Sequence, residues 1–160
     1  TDTFAISSDA SGLTSPEVGM KWHLGESAKG TFSLGFLSAL SLPLNASQGF
    51  VFYPTIACDV SLTPKLGFGL NAGASIYISP RLTDLDAARF ASSFGQSWNQ
   101  HLSTYLELFG EWQFSGALAV SADTGVIYRL TDDLQLDAYV RQGLLRAEDT
   151  GVGLGVSLRL

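Results

Sequence analysis

Residues 150–160 read T-G-V-G-L-G-V-S-L-R-L. Val152, Leu154, Val156, Leu158 and Leu160 alternate with Gly153, Gly155, Ser157 and Arg159. Successive side chains of a strand point to opposite faces, so one face here is apolar and the other small or charged. One such strand fits any half-buried sheet. The same alternation runs through most of the chain, and that recurrence points to a barrel with lipid outside and polar groups within.

Composition agrees. The chain of 160 residues is long enough for one domain, expected over residues 1–160. Hydrophobic residues make up 46% and charged residues 15%, where soluble domains carry about 25% charge. A chain this poor in charge buries its apolar residues in a core or in lipid. No window offers the roughly 20 apolar residues of a spanning helix, so the hydropathy does not come from membrane helices. No signal peptide precedes Thr1, and a mature or N-terminally shortened chain is expected.

Several function classes drop out. The net charge is −6 and there is no Lys/Arg run, so nucleic acid is not an expected partner. Cys58 is the only cysteine, which rules out an intrachain disulfide. The 2 histidines and 1 cysteine are too widely spaced for a zinc site. The run G-V-G-L-G at residues 151–155 has no helix after it and makes a poor dinucleotide fingerprint. No cofactor is expected.

The spacing predicts about ten strands, within a range of roughly eight to twelve, at residues 1–8, 16–24, 30–42, 50–62, 65–79, 88–98, 101–113, 117–130, 134–144 and 150–160. Leu66, Phe68, Leu70, Ala72, Ala74, Ile76 and Ile78 oppose Gly67, Gly69, Asn71, Gly73, Ser75, Tyr77 and Ser79. Leu102, Leu106, Leu108 and Trp112 oppose Ser103, Tyr105, Glu107 and Glu111. Short polar connections alternate with mostly longer ones, as in outer-membrane barrels. The fold expected is all-β: a closed antiparallel transmembrane β-barrel in the outer membrane of a Gram-negative bacterium. Its partners there would be the membrane's lipid and lipopolysaccharide.

Aromatic side chains favour the two membrane interfaces. On the apolar face Trp22, Phe32, Trp98 and Tyr128 are expected near the short-turn end. Phe50, Phe52 and Trp112 are expected near the long-loop end.

The same register sends the charges inward. Glu17, Asp59, Glu107, Glu111, Asp123 and Asp137 share the polar face with Lys21, His23, Arg129, Arg141 and Arg159. Hairpin geometry brings Glu107 near Asp123, and Asp123 opposite Arg141. Arg129, Asp137 and Arg159 form a second group lower down. Such a set either fills a narrow lumen as a structural salt-bridge network or makes a charged constriction that filters solutes. A catalytic use of His23 or His101 with a serine and an acid finds no nucleophile motif to support it, and no catalytic residue is assigned.

The segment D-T-G-V-I-Y-R-L-T-D-D-L-Q-L-D-A-Y-V-R-Q-G-L at residues 123–144, with residues 151–160, resembles the C-terminal half of a family of proteobacterial outer-membrane barrels. That family is linked by name to the MetA pathway of phenol degradation. V-G-M-K-W-H-L at residues 18–24 and S-L-P-L-N at residues 41–45 resemble it too. The resemblance implies an outer-membrane location and a role in uptake of small, aromatic or hydrophobic compounds. The residues themselves leave three rivals open. One is a plugged structural barrel that binds through its loops. Another is a soluble barrel of lipocalin type with the faces reversed. The third is an outer-membrane enzyme.

Overall fold

The computed structural model describes residues 8–9, 12–13, 15–43, 49–80, 82–146 and 150–158, and no helix occurs among them. A small ladder joins β1 (Ser8–Asp9) to β2 (Gly12–Leu13). Nine longer strands follow: β3 (Glu17–Glu26), β4 (Phe32–Ser41), β5 (Phe50–Ser61), β6 (Leu66–Ile78), β7 (Thr83–Ser97), β8 (Leu102–Gln113), β9 (Leu118–Arg129), β10 (Leu134–Leu145) and β11 (Gly151–Leu158). Each pairs antiparallel with its neighbours in the chain, giving one sheet in the order β11-β10-β9-β8-β7-β6-β5-β4-β3.

Among the described residues the sheet has nine strands, within the expected range of roughly eight to twelve, and β3 and β11 are its edges, not paired to one another. The first expected strand, at residues 1–8, falls outside the described residues except for Ser8. One strand expectation needs amendment, that of residues 80–87 as a loop. They are largely strand, because β7 begins at Thr83. Ser75 pairs with Ala87 and Ile76 with Leu85, so Asp86 is an extra residue on β7. This bulge breaks the two-residue period and hides the strand from any reading by alternation.

The short turns are built alike. Leu62 and Thr63, Trp98 and Asn99, and Leu130 and Thr131 donate their amides to the carbonyls of Leu66, Leu102 and Leu134 respectively. In each turn one polar side chain then accepts two further amides. Thr63 Oγ1 takes Lys65 and Leu66, Asn99 Oδ1 takes His101 and Leu102, and Thr131 Oγ1 takes Asp133 and Leu134. Ser27 Oγ does the same for Thr31 and Phe32 between β3 and β4, where Gly30 supplies the positive φ of 65° that a bulkier residue resists. A Thr, Asn or Ser at the turn entrance thus replaces missing backbone partners.

Direct cross-strand partners share a face. Trp22, Phe36, Ile56, Ala72 and Phe90 form one such row on the apolar face. Apart from the bulged Asp86, every Asp, Glu, Lys and Arg in the ladders from β3 to β11 is on the opposite face. Burial is inverted relative to a soluble domain. Among the described residues the buried ones are Gly35, Ser41, Ala57, Ser75, Ala87, Ser121, Asp123 and Gly125, all on the polar face, whereas Phe94, Leu106, Val126, Val140 and Leu154 are exposed. Two hydroxyls on the apolar face are satisfied locally. Thr124 Oγ1 donates to the Tyr105 carbonyl at 2.7 Å, and Thr104 Oγ1 accepts from Trp98 Nε1 at 3.0 Å.

Candidate functional site

The register lays the polar face out in rows. One runs Asp59, Gly69, Ser93, Glu107, Asp123, Arg141, Gly151 from β5 to β11. Asp123 is the direct partner of both Glu107 and Arg141, as the hairpin argument expects. Arg141 Nη2 donates to Asp123 Oδ2 at 3.3 Å, and the Asp123 side chain is 5% exposed. Asp123 Oδ1 and Arg141 Nε are buried with no hydrogen-bond partner. The Arg141 guanidinium lies 4.8 Å from the Phe109 ring centre and 5.6 Å from that of Tyr139. Arg141 is therefore held by charge on one side and by aromatic faces on others.

One step towards the short-turn end, the row reads Gly95, Tyr105, Gly125, Tyr139, Gly153. The tyrosine rings lie over the glycines of the next strand. A Cβ on Gly125 would sit 2.7 Å from Tyr105 Cε1 and 2.7 Å from the Ala138 carbonyl oxygen, whereas one on Gly95 would meet nothing within 4 Å. Gly125→Ala is expected to destabilise by about 1–3 kcal/mol through overpacking, and Gly95→Ala to change little. Urea titration of the two variants in detergent micelles checks this, and equal losses would contradict the packing of this row.

In the other direction the rows carry Asn71, Ala91, Phe109 and Ser121, then Thr55, Gly73, Arg89 and Glu111. Arg89 Nε is 3.9 Å from Glu111 Oε2, and its guanidinium lies 4.6 Å from the Tyr53 ring centre. These rows and the ion row line an open cavity of about 510 Å³, whose lining includes Thr55, Asn71, Arg89, Glu107, Phe109 and Arg141.

The structure thus gathers Glu107, Glu111, Asp123 and Arg141 around or beside one cavity. It does not join Arg129 to Asp137. Arg129 faces Gln135, while Asp137 faces Ile127 and Gly155. Arg159 lies outside the described residues. Reasoning from sequence missed Arg89, although its place opposite Phe90 and Phe94 on a strand was signal enough. It also missed Phe109, because an aromatic on the polar face goes against the alternation.

The aromatics of the apolar face separate as follows. Phe32 opens β4, Trp98 lies just beyond β7, and Tyr128 stacks on His101 beside the adjacent short turn, with ring centres 6.2 Å apart. Phe52 and Trp112 lie towards the other end, Trp112 against Phe114 at 5.7 Å. Trp22 sits near the middle of β3 and stacks on Phe36 at 5.4 Å, inboard of the short-turn end where it was expected. Among the described residues there is no group of three or more His, Cys, Asp or Glu able to hold a metal ion.

The model of a family described as "Putative MetA-pathway of phenol degradation" matches residues 1–160. This agrees with the resemblance carried by residues 123–144. No curated protein and no solved structure matches the chain.

Proposed function

The chain belongs to the MetA-pathway phenol-degradation family, and from that premise we propose that it is an outer-membrane β-barrel whose polar-face cavity binds or passes small molecules. The inverted burial carries this reading. Alanine, serine and aspartate are buried, while phenylalanine, leucine and valine are exposed along the whole sheet. In water such a surface would be a continuous apolar patch far beyond what soluble monomers tolerate. Against lipid and lipopolysaccharide it is the stable side. The strands from β3 to β10 hold 10–15 residues, enough for tilted spans that need about 9–11.

Parity bears on closure. Nine strands in an antiparallel meander leave β3 and β11 running the same way. Antiparallel closure takes an even number of strands, so one more would have to stand between them. Without closure both edges would expose backbone polar groups to hydrocarbon, a strongly unfavourable state. A barrel of about ten strands is narrow, since roughly eight are just filled by side chains. The groups on the polar face then set what enters. In this reading they bind and filter, and no bond is made or broken.

Reconstitution into planar bilayers tests the proposal. Discrete conductance steps are expected. A protein that inserts but stays silent would instead be the plugged, structural barrel, and one that stays monomeric and soluble without detergent would be neither.

A further inference from the structure

We propose that the polar-face cavity is selective for organic ammonium compounds, the ammonium resting on Glu107 and the apolar body on Phe109. This rests on the reading of that cavity as a small-molecule site and names its substrate class.

The argument is one of charge pairing. Five charged groups lie in or beside the cavity: the cations Arg89 and Arg141, and the carboxylates of Glu107, Glu111 and Asp123. Arg89 lies 3.9 Å from Glu111 and 4.6 Å from the Tyr53 ring centre, a loose pair between partly exposed side chains. Arg141 is taken by Asp123 at 3.3 Å and lies against Phe109 and Tyr139. Glu107 is left. It lines the cavity and has no ion-pair partner among the described residues. Its cross-strand partners are Ser93 and Asp123, neither of which brings a positive charge. Two cations against three carboxylates leave one net negative charge, and Glu107 is the cavity-lining carboxylate with no ion pair to offset it.

An incoming carboxylate or phenolate that approaches either guanidinium also meets the carboxylate already beside it, Glu111 or Asp123. An ammonium meets an acceptor that is already vacant. Glu107 and Phe109 are two residues apart on one strand and so project side by side into the same space. A cationic head and a ring joined by a short arm span that separation. Acidic side chains are also what cation-selective pores use.

The test uses three probes that share a phenyl ring and differ in charge: benzylammonium, benzyl alcohol and benzoate. Each is titrated calorimetrically into the full chain folded in detergent. Benzylammonium is expected to bind about tenfold more tightly than benzyl alcohol, the gain of one charge-assisted hydrogen bond, with benzoate weakest. Glu107→Gln is expected to remove that tenfold preference. Benzoate binding as tightly as benzylammonium overturns the proposal, as does a preference that survives Glu107→Gln. If Glu107→Gln does not fold, the ranking on the unchanged protein decides. Equal binding of all three probes overturns the ammonium inference and leaves a small-molecule site standing. No binding by any probe, with silence in planar bilayers, overturns both.

Discussion

Leu106→Arg is expected to cost far more stability than Ser103→Arg, although the two residues lie on the same strand, β8. Leu106 is on the apolar face and 55% exposed, with Phe94 and Thr124 as its partners. In a bilayer that exposed surface meets hydrocarbon, and an arginine near mid-depth on the lipid face costs about 2–4 kcal/mol. Ser103 is on the polar face beside Ser97 and Ile127, close to the short turn. A guanidinium there reaches water or the polar interior and is expected to cost less than about 1 kcal/mol. Urea-induced unfolding of the two variants in lipid vesicles measures the difference. Equal losses would mean that the apolar face is not the lipid face, as would a larger loss for Ser103→Arg. The lipocalin-type alternative predicts the same order, because it buries Leu106 in an apolar core and leaves Ser103 in water, and it is told apart by solubility without detergent.

The same strand shows why so much of the fold was legible in the sequence. Apart from Thr104 and Gly110 on one side and Phe109 on the other, each side of β8 keeps its character, so alternation alone fixes which residues share the apolar face. Where the strand is regular, that information also sets the register, because a slip by one residue would put Glu107 and Glu111 on the apolar face. It fails where a bulge adds a residue. Asp86 shifts the phase between Leu85 and Ala87, so the polar residues Asp84 and Asp86 read as loop although Asp84 is opposite Tyr77 in the ladder. Counting the strands meets a different limit, since two-residue periodicity specifies each strand without specifying which edges meet.

The candidate site was legible only in part, for a related reason. Hairpin arithmetic between consecutive strands places Glu107, Asp123 and Arg141 together because two short steps separate them. The group of Arg129 and Asp137 was drawn from the same arithmetic but lies on diagonal rather than direct positions, with Gln135 and Ile127 intervening as partners. Arg89 reaches the cavity from β7 through Glu111. The bland charge balance of the chain gives no hint that one carboxylate, Glu107, is left over once the pairs are made.

Arg141→Met tests whether that balance governs the lumen. The substitution keeps an unbranched side chain of similar length against Phe109 and Tyr139 and removes the charge. Asp123, with its side chain 5% exposed, would then be a buried carboxylate without its partner. Breaking such a pair from one side costs about 3–5 kcal/mol, and the lower end applies because the Arg141 side chain is 35% exposed and its charge is partly solvated. Adding Asp123→Asn is expected to restore most of the loss, since the uncompensated charge goes with it. In a conducting barrel the single substitution also raises the preference for cations over anions, because Glu107 and Asp123 then face the lumen with no countercharge. That gain should shrink as ionic strength rises and screens the lumen. Arg129→Met serves as the comparison, since Arg129 makes no ion pair among the described residues. Reversal potentials under a salt gradient, read with urea titrations for the same variants, decide the matter. Equal shifts for Arg141→Met and Arg129→Met would remove the ion row from the constriction. A shift confined to Arg141→Met and abolished by Asp123→Asn would make the Asp123–Arg141 pair the element that holds the lumen's charge in check.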